Sequence, residues 1–443
     1  MKRNEAEPKR EVFGSRFGFI VACIGSAVGM GNIWMFPYRT GQYGGAAFLI
    51  PYFIFVVILG FSGVVGEMAF GRAMKTGPLG AFGKAMEMRG KKGGKLLGMI
   101  PVLGSLAIAV GYSVVVGWFL RFLWGAVTGE LMETKDTGAY FGEISGNFGS
   151  VGWHFLGLGL TFLIMIFGIS KGIEKMNKIM MPVFFVFFIF LMIRVFTLDH
   201  AAAGYEYLFV PKWEYLKNPK TWVYALGQAF FSLSLAGSGT IVYGSYLSKD
   251  TDVVYSARNV AFFDTCAALL AGLVVIPAVF AFGMDVSAGP PLMFITLPSV
   301  FQQMPFGQIF AIVFFIAVLF AAITSLMNLF ETPIEALQNQ FHLSRAAAVG
   351  IVAAGACGIG VFIESGDMVS IWMDVVSIYL IPLGALLAAV MFFWVCPKGF
   401  AREQVQLGRS KKLGKWFEPA TRYFFVGLTI LVYILGILYG GIG

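Results

Sequence analysis

The sequence predicts an all-α integral membrane protein with eleven transmembrane helices: a 5+5 inverted repeat with broken helices 1 and 6, plus one extra C-terminal helix. Three observations carry this. Of 443 residues, 58% are apolar and only 13% charged, with a mean hydropathy of +0.79, whereas a soluble domain carries about 25% charged residues. The apolar residues gather in eleven runs, each near the roughly 20 residues a helix needs to cross a bilayer. The first and sixth runs, five apart, are interrupted at mid-span by glycines with hydroxyl or amide neighbours.

The runs lie near 13–38, 43–70, 98–125, 151–170, 179–198, 222–247, 259–284, 306–330, 346–363, 369–396 and 423–442. The first follows a charged segment without a cleavable signal pattern, so it is expected to stay as a helix. Runs one to five make a repeat over about 13–198, runs six to ten its inverted copy over about 222–396, and 423–442 is the extra helix. The whole chain, 1–443, reads as a single transmembrane domain.

The linkers orient it. Of the 32 Lys and Arg, 25 precede or open the first run or lie in 71–97, 171–178, 249–258, 397–422 and at Arg345. With alternating runs these all fall on one side. The positive-inside rule then puts the N-terminus in the cytoplasm and the C-terminus outside, across the inner (plasma) membrane. The same distribution accounts for the net charge of +8. No basic stripe is interleaved with exposed aromatics, so no nucleic-acid partner is expected. On the other side, 126–150 and 199–221 are polar and aromatic. In 285–305, Gly289-Pro290-Pro291 precedes Leu292-Met293-Phe294-Ile295, the pattern of a lid-like hairpin on the outer face.

Cys23, Cys266, Cys357 and Cys396 fall at unrelated spacings inside apolar runs, which indicates neither a disulfide framework nor a zinc site. His154, His200 and His342 are far apart, and no metal is assigned to them.

A broken membrane helix must find new partners for the backbone groups it frees. The first run contains Gly25-Ser26-Ala27-Val28-Gly29-Met30-Gly31-Asn32, the sixth Ser232-Leu233-Ser234-Leu235-Ala236-Gly237-Ser238-Gly239-Thr240. Close-packing glycines alone would not require Asn32 or the Ser232/Ser234 pair. Two broken helices facing one another at mid-membrane are the mark of a secondary transporter. Asp264 in the seventh run, Tyr112 in the third and Thr324-Ser325 in the eighth point to the same depth. A carboxylate there costs about 2.5–3.5 kcal/mol on insertion scales and calls for a cation or a donor. Glu67 and Glu331 are expected to pair with free amides of a broken helix. Sodium, a hard cation, takes oxygen ligands by analogy with other hard cations. Carbonyls of Gly25, Ala27 and Val28, with Asn32, Ser232, Asp264, Thr324 and Ser325, offer oxygens for two such ions. A zwitterionic substrate would set its carboxylate against the amides of a half-helix start.

These residues resemble the neurotransmitter:sodium symporter family, in its bacterial eleven-span form. The resemblance covers nearly the whole chain. It rests on Gly25 to Trp34 with Phe36-Pro37, on Gly44-Gly45-Ala46-Ala47-Phe48 with Pro51-Tyr52, on Gly66-Glu67 with Gly71-Arg72, and on Gly227-Gln228 with Phe230-Phe231-Ser232-Leu233-Ser234. It implies sodium-coupled import of a neutral amino acid by alternating access. The first sodium would bind at the Ala27 carbonyl, Asn32, Ser232, Asp264 and the substrate carboxylate. The second would bind at the carbonyls of Gly25, Val28 and Ala321 and the hydroxyls of Thr324 and Ser325. Substrate would meet Ser26, Ala27, Met30, Gly31, Ile108, Tyr112, Phe231, Ser232, Ser234, Gly237, Ser325 and Leu329.

In the family an acidic residue near the place of Asp264 removes the need for chloride, so the resemblance implies independence from chloride. Gly29, where amine-carrying relatives have an aspartate, implies a substrate with its own carboxylate. Gly237, in place of an aromatic residue, leaves room for a large hydrophobic or aromatic side chain. The chain departs from the family at Met35, where an arginine usually faces the outer-gate acid, here Asp374. It departs again at Asn339, where an aspartate usually faces Arg10, and at Ala236-Gly237-Ser238.

No phosphate-cradling motif supports a pump, no nucleophile–base or metal cluster an enzyme, and no continuous polar stripe a channel. The remaining alternatives are a transport-dead membrane sensor or structural protein of this fold, and a symporter of a carboxylate that is not an amino acid.

Overall fold

The computed structural model describes residues 11–235, 238–287 and 292–442. Among them there are helices, turns and loops but no strand. All eleven apolar runs are occupied by helices. The first holds α1 (Arg16–Ala27) and α2 (Gly31–Gln42), which meet at 50°. There follow α3 (Ala46–Met74), α4 (Gly94–Thr128), α5 (Val151–Met165), α6 (Ile169–Phe196), α7 (Pro219–Ser232), α8 (Gly239–Ser245) and α9 (Val253–Ala281). The last four are α10 (Gly307–Phe341), α11 (Arg345–Ile363), α12 (Gly366–Val395) and α13 (Phe417–Tyr439). Among the described residues, α3, α4, α6 and α9 to α13 are 8 helices long and apolar enough to cross a membrane, and the bent pair makes up to 9.

The first break follows from local chemistry. At Val28 the backbone turns extended (φ −71°, ψ 104°), ending α1, and α2 restarts with a π-helical turn over Gly31–Met35, a local irregularity frequent at functional sites. At the second break, α7 stops at Ser232. Ser234 (φ 55°) and Ser238 (φ 53°) then take left-handed backbone, which costs a non-glycine residue about 1 kcal/mol or more and persists where surroundings hold it. Ala236 and Gly237 lie outside the described residues.

Side chains begin several helices. Ser15 caps α1 by accepting from the Gly18 amide, and Asp252 caps α9 by accepting from Val254 and Tyr255, contacts worth about 1 kcal/mol each. α1 lies among α6, α9 and α10, and α4 runs alongside α10. α8 packs on the last turns of α3 through glycines: a Cβ on Gly244 would come within 2.6 Å of the Met68 carbonyl, and one on Gly71 would collide with the Ile241 carbonyl.

On one face, the segment 292–303 packs inward as a lid. Phe294 is buried, its ring 4.7–5.8 Å from those of Trp34, Trp118, Phe119, Phe122 and Phe141. The turn Gly289-Pro290-Pro291 of the expected hairpin lies outside the described residues. On the opposite, basic face, the buried Arg72 reaches from α3 to the carbonyls of Thr251 and Gln404.

Candidate functional site

The two breaks and α9 bring Asn32, Ser232 and Asp264 together from positions up to 232 residues apart. All three are buried. The Asn32 amide donates to Asp264 Oδ1 (2.7 Å), to the Asp264 carbonyl (3.0 Å) and to Ser232 Oγ (3.1 Å). Ser232 Oγ donates to Asp264 Oδ2 at 2.6 Å. Each carboxylate oxygen therefore has a donor. Among the described residues Asp264 has no basic side chain within ion-pair distance, so its charge lacks a fixed counter-charge.

A second cluster sits against α10. Ser325 Oγ lies 3.4, 3.2 and 3.3 Å from the carbonyl oxygens of Gly25, Ser26 and Val28. Thr324 Oγ1 lies 3.0 Å from the Ala321 carbonyl and 2.9 Å from that of Phe320. A hydroxyl has one proton to give. Three carbonyls converging on Ser325 leave lone pairs facing one another, an arrangement that suits a hard cation with oxygen ligands.

The freed amides at the start of α2 are met by side chains: Gly29 N–H donates to Asn32 Oδ1 (3.1 Å) and Met30 N–H to the Tyr112 hydroxyl (2.9 Å). The breaks touch through Ser234 Oγ, which donates to the Ser26 carbonyl at 2.8 Å and lies 3.3 Å from Ser26 Oγ. Ser26, Ala27, Met30, Tyr112, Ser232 and Ser325 are buried, whereas Gly31, Ile108, Phe231, Ser234 and Leu329 are half-buried. Ile108 stands one turn from Tyr112 on α4 and Leu329 one turn from Ser325 on α10. Ser105 Oγ joins these helices by donating to the Leu329 carbonyl at 2.8 Å. Ile108 and Phe231 share the cluster's helices, and the Phe231 carbonyl accepts from the Ser234 amide at 3.1 Å. A Cβ on Gly31 would meet no atom within 4 Å. Gly237 lies outside the described residues.

Several buried polar contacts escape a reading of the sequence. Gln228 donates to the Gly31 carbonyl at 2.8 Å and so satisfies the restart of α2. Asn177 is buried against Gly25, although it falls in an apparent basic linker between Lys175 and Lys178; the helix begins ten residues earlier than the hydropathy indicates, at Ile169. His154 is buried with Glu364, whose carboxylate lies 2.6 Å from Nδ1, and with Ser113 Oγ 2.8 Å from Nε2. These partners are too distant in sequence for spacing to reveal. Among the described residues no three His, Cys, Asp or Glu gather as a metal site, and all four cysteines are free.

The expected pairing of Glu331 with helix-end amides is corrected: its carboxylate binds the Arg345 guanidinium at 2.6 and 2.7 Å and accepts from the Tyr246 hydroxyl at 2.8 Å. Glu67 is buried near Leu235, a residue of the second break. At the departures, Asp374 is exposed and forms no ion pair among the described residues. One turn beyond Met35, Arg39 is 4.2 Å from the Tyr224 ring centre and 5.0 Å from that of Tyr38. Asn339 donates to Thr76 Oγ1 at 2.9 Å and to Glu335, while Arg10 lies outside the described residues.

Comparison with known proteins agrees with this arrangement of helices. The model of the sodium:neurotransmitter symporter family matches residues 10–143 and 143–437. The sodium-dependent transporter YhdH of Bacillus subtilis is 33% identical over 98% of this chain and 99% of its own. The sodium-dependent transporter MJ1319 of Methanocaldococcus jannaschii is 33% identical over 93% of this chain and 87% of its own. The crystal structure of MhsT in complex with L-phenylalanine superposes with a TM-score of 0.86 at 34% identity, covering 97% of this chain and 100% of that one. With nearly its whole length matched in sequence and fold, the chain belongs to the sodium:neurotransmitter symporter family, multi-pass membrane proteins of sodium-dependent transport.

Proposed function

We propose that this chain imports a neutral amino acid, large and hydrophobic or aromatic, with two sodium ions and without chloride. The observation that carries the reading is the Asp264 carboxylate, buried with hydrogen-bond donors but no fixed cation, beside an all-oxygen cluster at the first break. Sodium enters as cargo: one ion at the Ala27 carbonyl, Asn32, Ser232 and Asp264, the other at the carbonyls of Gly25, Val28 and Ala321 and the hydroxyls of Thr324 and Ser325. The substrate carboxylate completes the first shell, and its side chain lies among Met30, Ile108, Tyr112, Phe231 and Leu329. The absence of a side chain at Gly31 and Gly237 supports a bulky substrate, as does the phenylalanine in the similar MhsT structure. In this reading the chain is one domain with eleven crossings in a 5+5 inverted repeat plus α13, N-terminus cytoplasmic and C-terminus outside, in the inner (plasma) membrane.

The test is a thermal-shift screen of the twenty amino acids with and without sodium, followed by uptake into proteoliposomes. A ligand of the folded state raises the unfolding temperature as its concentration passes its dissociation constant. Stabilisation by phenylalanine, tryptophan or leucine only with sodium, and accumulation driven by a sodium gradient, support the proposal. Sodium-dependent binding without accumulation identifies a transport-dead sensor, and stabilisation by other carboxylates alone overturns the amino-acid assignment.

A further inference from the structure

We propose that the connection between α12 and α13 forms a binding site for the headgroup of an anionic phospholipid. The connection folds into a short helix, Phe400–Gln406, and a returning loop. Between them is a cavity of about 470 Å³ lined by Arg402, Glu403, Gln406, Arg409 and Lys412, among others. Three cations and one carboxylate line it, and of the cations Arg409 also faces the Asp252 carboxylate at 3.6 Å. A general bias of basic residues toward one face explains their presence but not their gathering round a cavity.

The frame is held before any ligand arrives. Arg402 donates to the Leu413 carbonyl at 3.1 Å, and Gln406 accepts from the Leu413 amide at 2.8 Å and donates to the Lys411 carbonyl at 3.2 Å. Arg72, from α3, reaches the carbonyls of Gln404 and Leu407. A site preset in this way loses little entropy on binding.

The surroundings point to lipid as the source of the phosphate. Trp394, Trp416, Tyr423 and Phe424 lie exposed beside the loop, and Trp394 donates to the Arg422 carbonyl at 2.7 Å while stacking under the Arg422 guanidinium. Exposed Trp and Tyr mark the headgroup level of a bilayer, and basic pockets at helix ends there suit anionic headgroups. Free phosphate would meet the same cations but would bring no acyl chains to this aromatic surface. The site also reaches the transport machinery: Arg409 lies 3.6 Å from Asp252, the cap of α9, which carries Asp264. A lipid phosphate at Arg409 competes with that contact and bears on the connection from α8 to α9.

The test uses the full chain in neutral detergent, titrated with phosphatidylglycerol, phosphatidylcholine or inorganic phosphate, with binding read by native mass spectrometry. Phosphatidylglycerol should bind saturably and phosphatidylcholine should not. The double substitution Arg402→Gln with Lys412→Gln should weaken phosphatidylglycerol about fivefold per cation removed. Lys91→Gln with Lys92→Gln, on the same face away from the cavity, should leave affinity within about twofold. Lys412→Glu, at an exposed side chain, should also weaken binding and guards against misfolding of the double variant. Equal weakening by the two double variants, or equal binding of phosphatidylcholine, overturns the site. Displacement of the lipid by an equal concentration of inorganic phosphate overturns the lipid as its ligand.

Discussion

On one side of the break between α1 and α2 the polar cluster contains a charge, and on the other it contains none. Asp264 brings a carboxylate whose two oxygens are held by Asn32 and Ser232 at 2.7 and 2.6 Å. The cluster around Thr324 and Ser325 is all carbonyl and hydroxyl oxygen, at 2.9–3.4 Å. The difference teaches how a membrane protein prepares a place for an ion. Hydrogen bonds orient the carboxylate but do not cancel its charge, and a buried charge without a counter-charge is expensive. The neutral cluster has no charge to cancel, only more acceptors than protons. If sodium binds at both, the first draws it by Coulomb attraction over distance, the second by close fit.

The largest effect follows from removing the charge. Asp264→Asn keeps the size and much of the hydrogen bonding but loses an attraction of about 4 kcal/mol for two charges about 4 Å apart at an effective dielectric near 20, roughly 10³-fold in sodium affinity. Sodium titration by thermal shift should show that loss, and sodium-driven uptake should fall with it. An Asp264→Asn protein that takes up substrate at wild-type sodium concentrations would remove the charged cluster from the ion path.

The neutral cluster should respond more mildly per group. Thr324→Ala with Ser325→Ala removes two oxygens, and contacts of this kind to a charged partner contribute about 1.5 kcal/mol each, roughly tenfold apiece. Sodium-driven accumulation should then be abolished at ordinary sodium and partly recovered at high sodium, with the unfolding temperature without sodium little changed. If sodium dependence is unaltered in this double variant, the comparison between the clusters fails on its neutral side.

Two glycines of the break sharpen the comparison further. A Cβ on Gly29 would stand 2.5 Å from Ser325 Oγ and 2.9 Å from the Tyr112 hydroxyl, so Gly29→Ala must push the neutral cluster apart. Overpacking of this size costs about 1–3 kcal/mol, roughly 5- to 150-fold in affinity for sodium and substrate together. Gly31, two residues on, has open space where its Cβ would go. Gly31→Ala should leave sodium affinity within about twofold, the ordinary range for a substitution without contacts. Measuring both variants by sodium-dependent thermal shift distinguishes them, and equal losses would mean that the glycines serve backbone freedom instead.

Much of this was legible in the sequence because membranes make the code strict. A spanning helix cannot leave its backbone unpaired, so glycines beside Asn32 and Ser232 announce the breaks, and an acid at Asp264 announces a partner. What was not legible is whatever depends on a partner chosen by the fold. Nothing in the sequence near Glu331 names Arg345 as its counter-ion in place of a helix end, and nothing near His154 names Glu364. The basic neighbours of Asn177 disguise it as linker, because hydropathy averages over a window and the polar face of a helix end looks like a loop. The π-helical restart at Gly31–Met35 is likewise set by Gln228 and Tyr112, which approach from other helices.

The smallest expected effect is none at all, and it tests the charged cluster from the other direction. A sodium site built only of neutral oxygens leaves a net positive charge inside the membrane when the ion binds, and a mobile anion such as chloride is one way to offset it. Here Asp264 supplies the negative charge as part of the chain, fully buried and held by Asn32 and Ser232. If sodium binds there, the carboxylate offsets its charge, and the substrate carboxylate in the same shell arrives with its own ammonium, so chloride is not needed to balance the site. Replacing chloride by gluconate at constant sodium should therefore leave uptake by the wild-type protein unchanged. A collapse of uptake in gluconate would mean that the carboxylate does not face the sodium, and that the hydrogen bonds from Asn32 and Ser232 serve to hold the broken helices together.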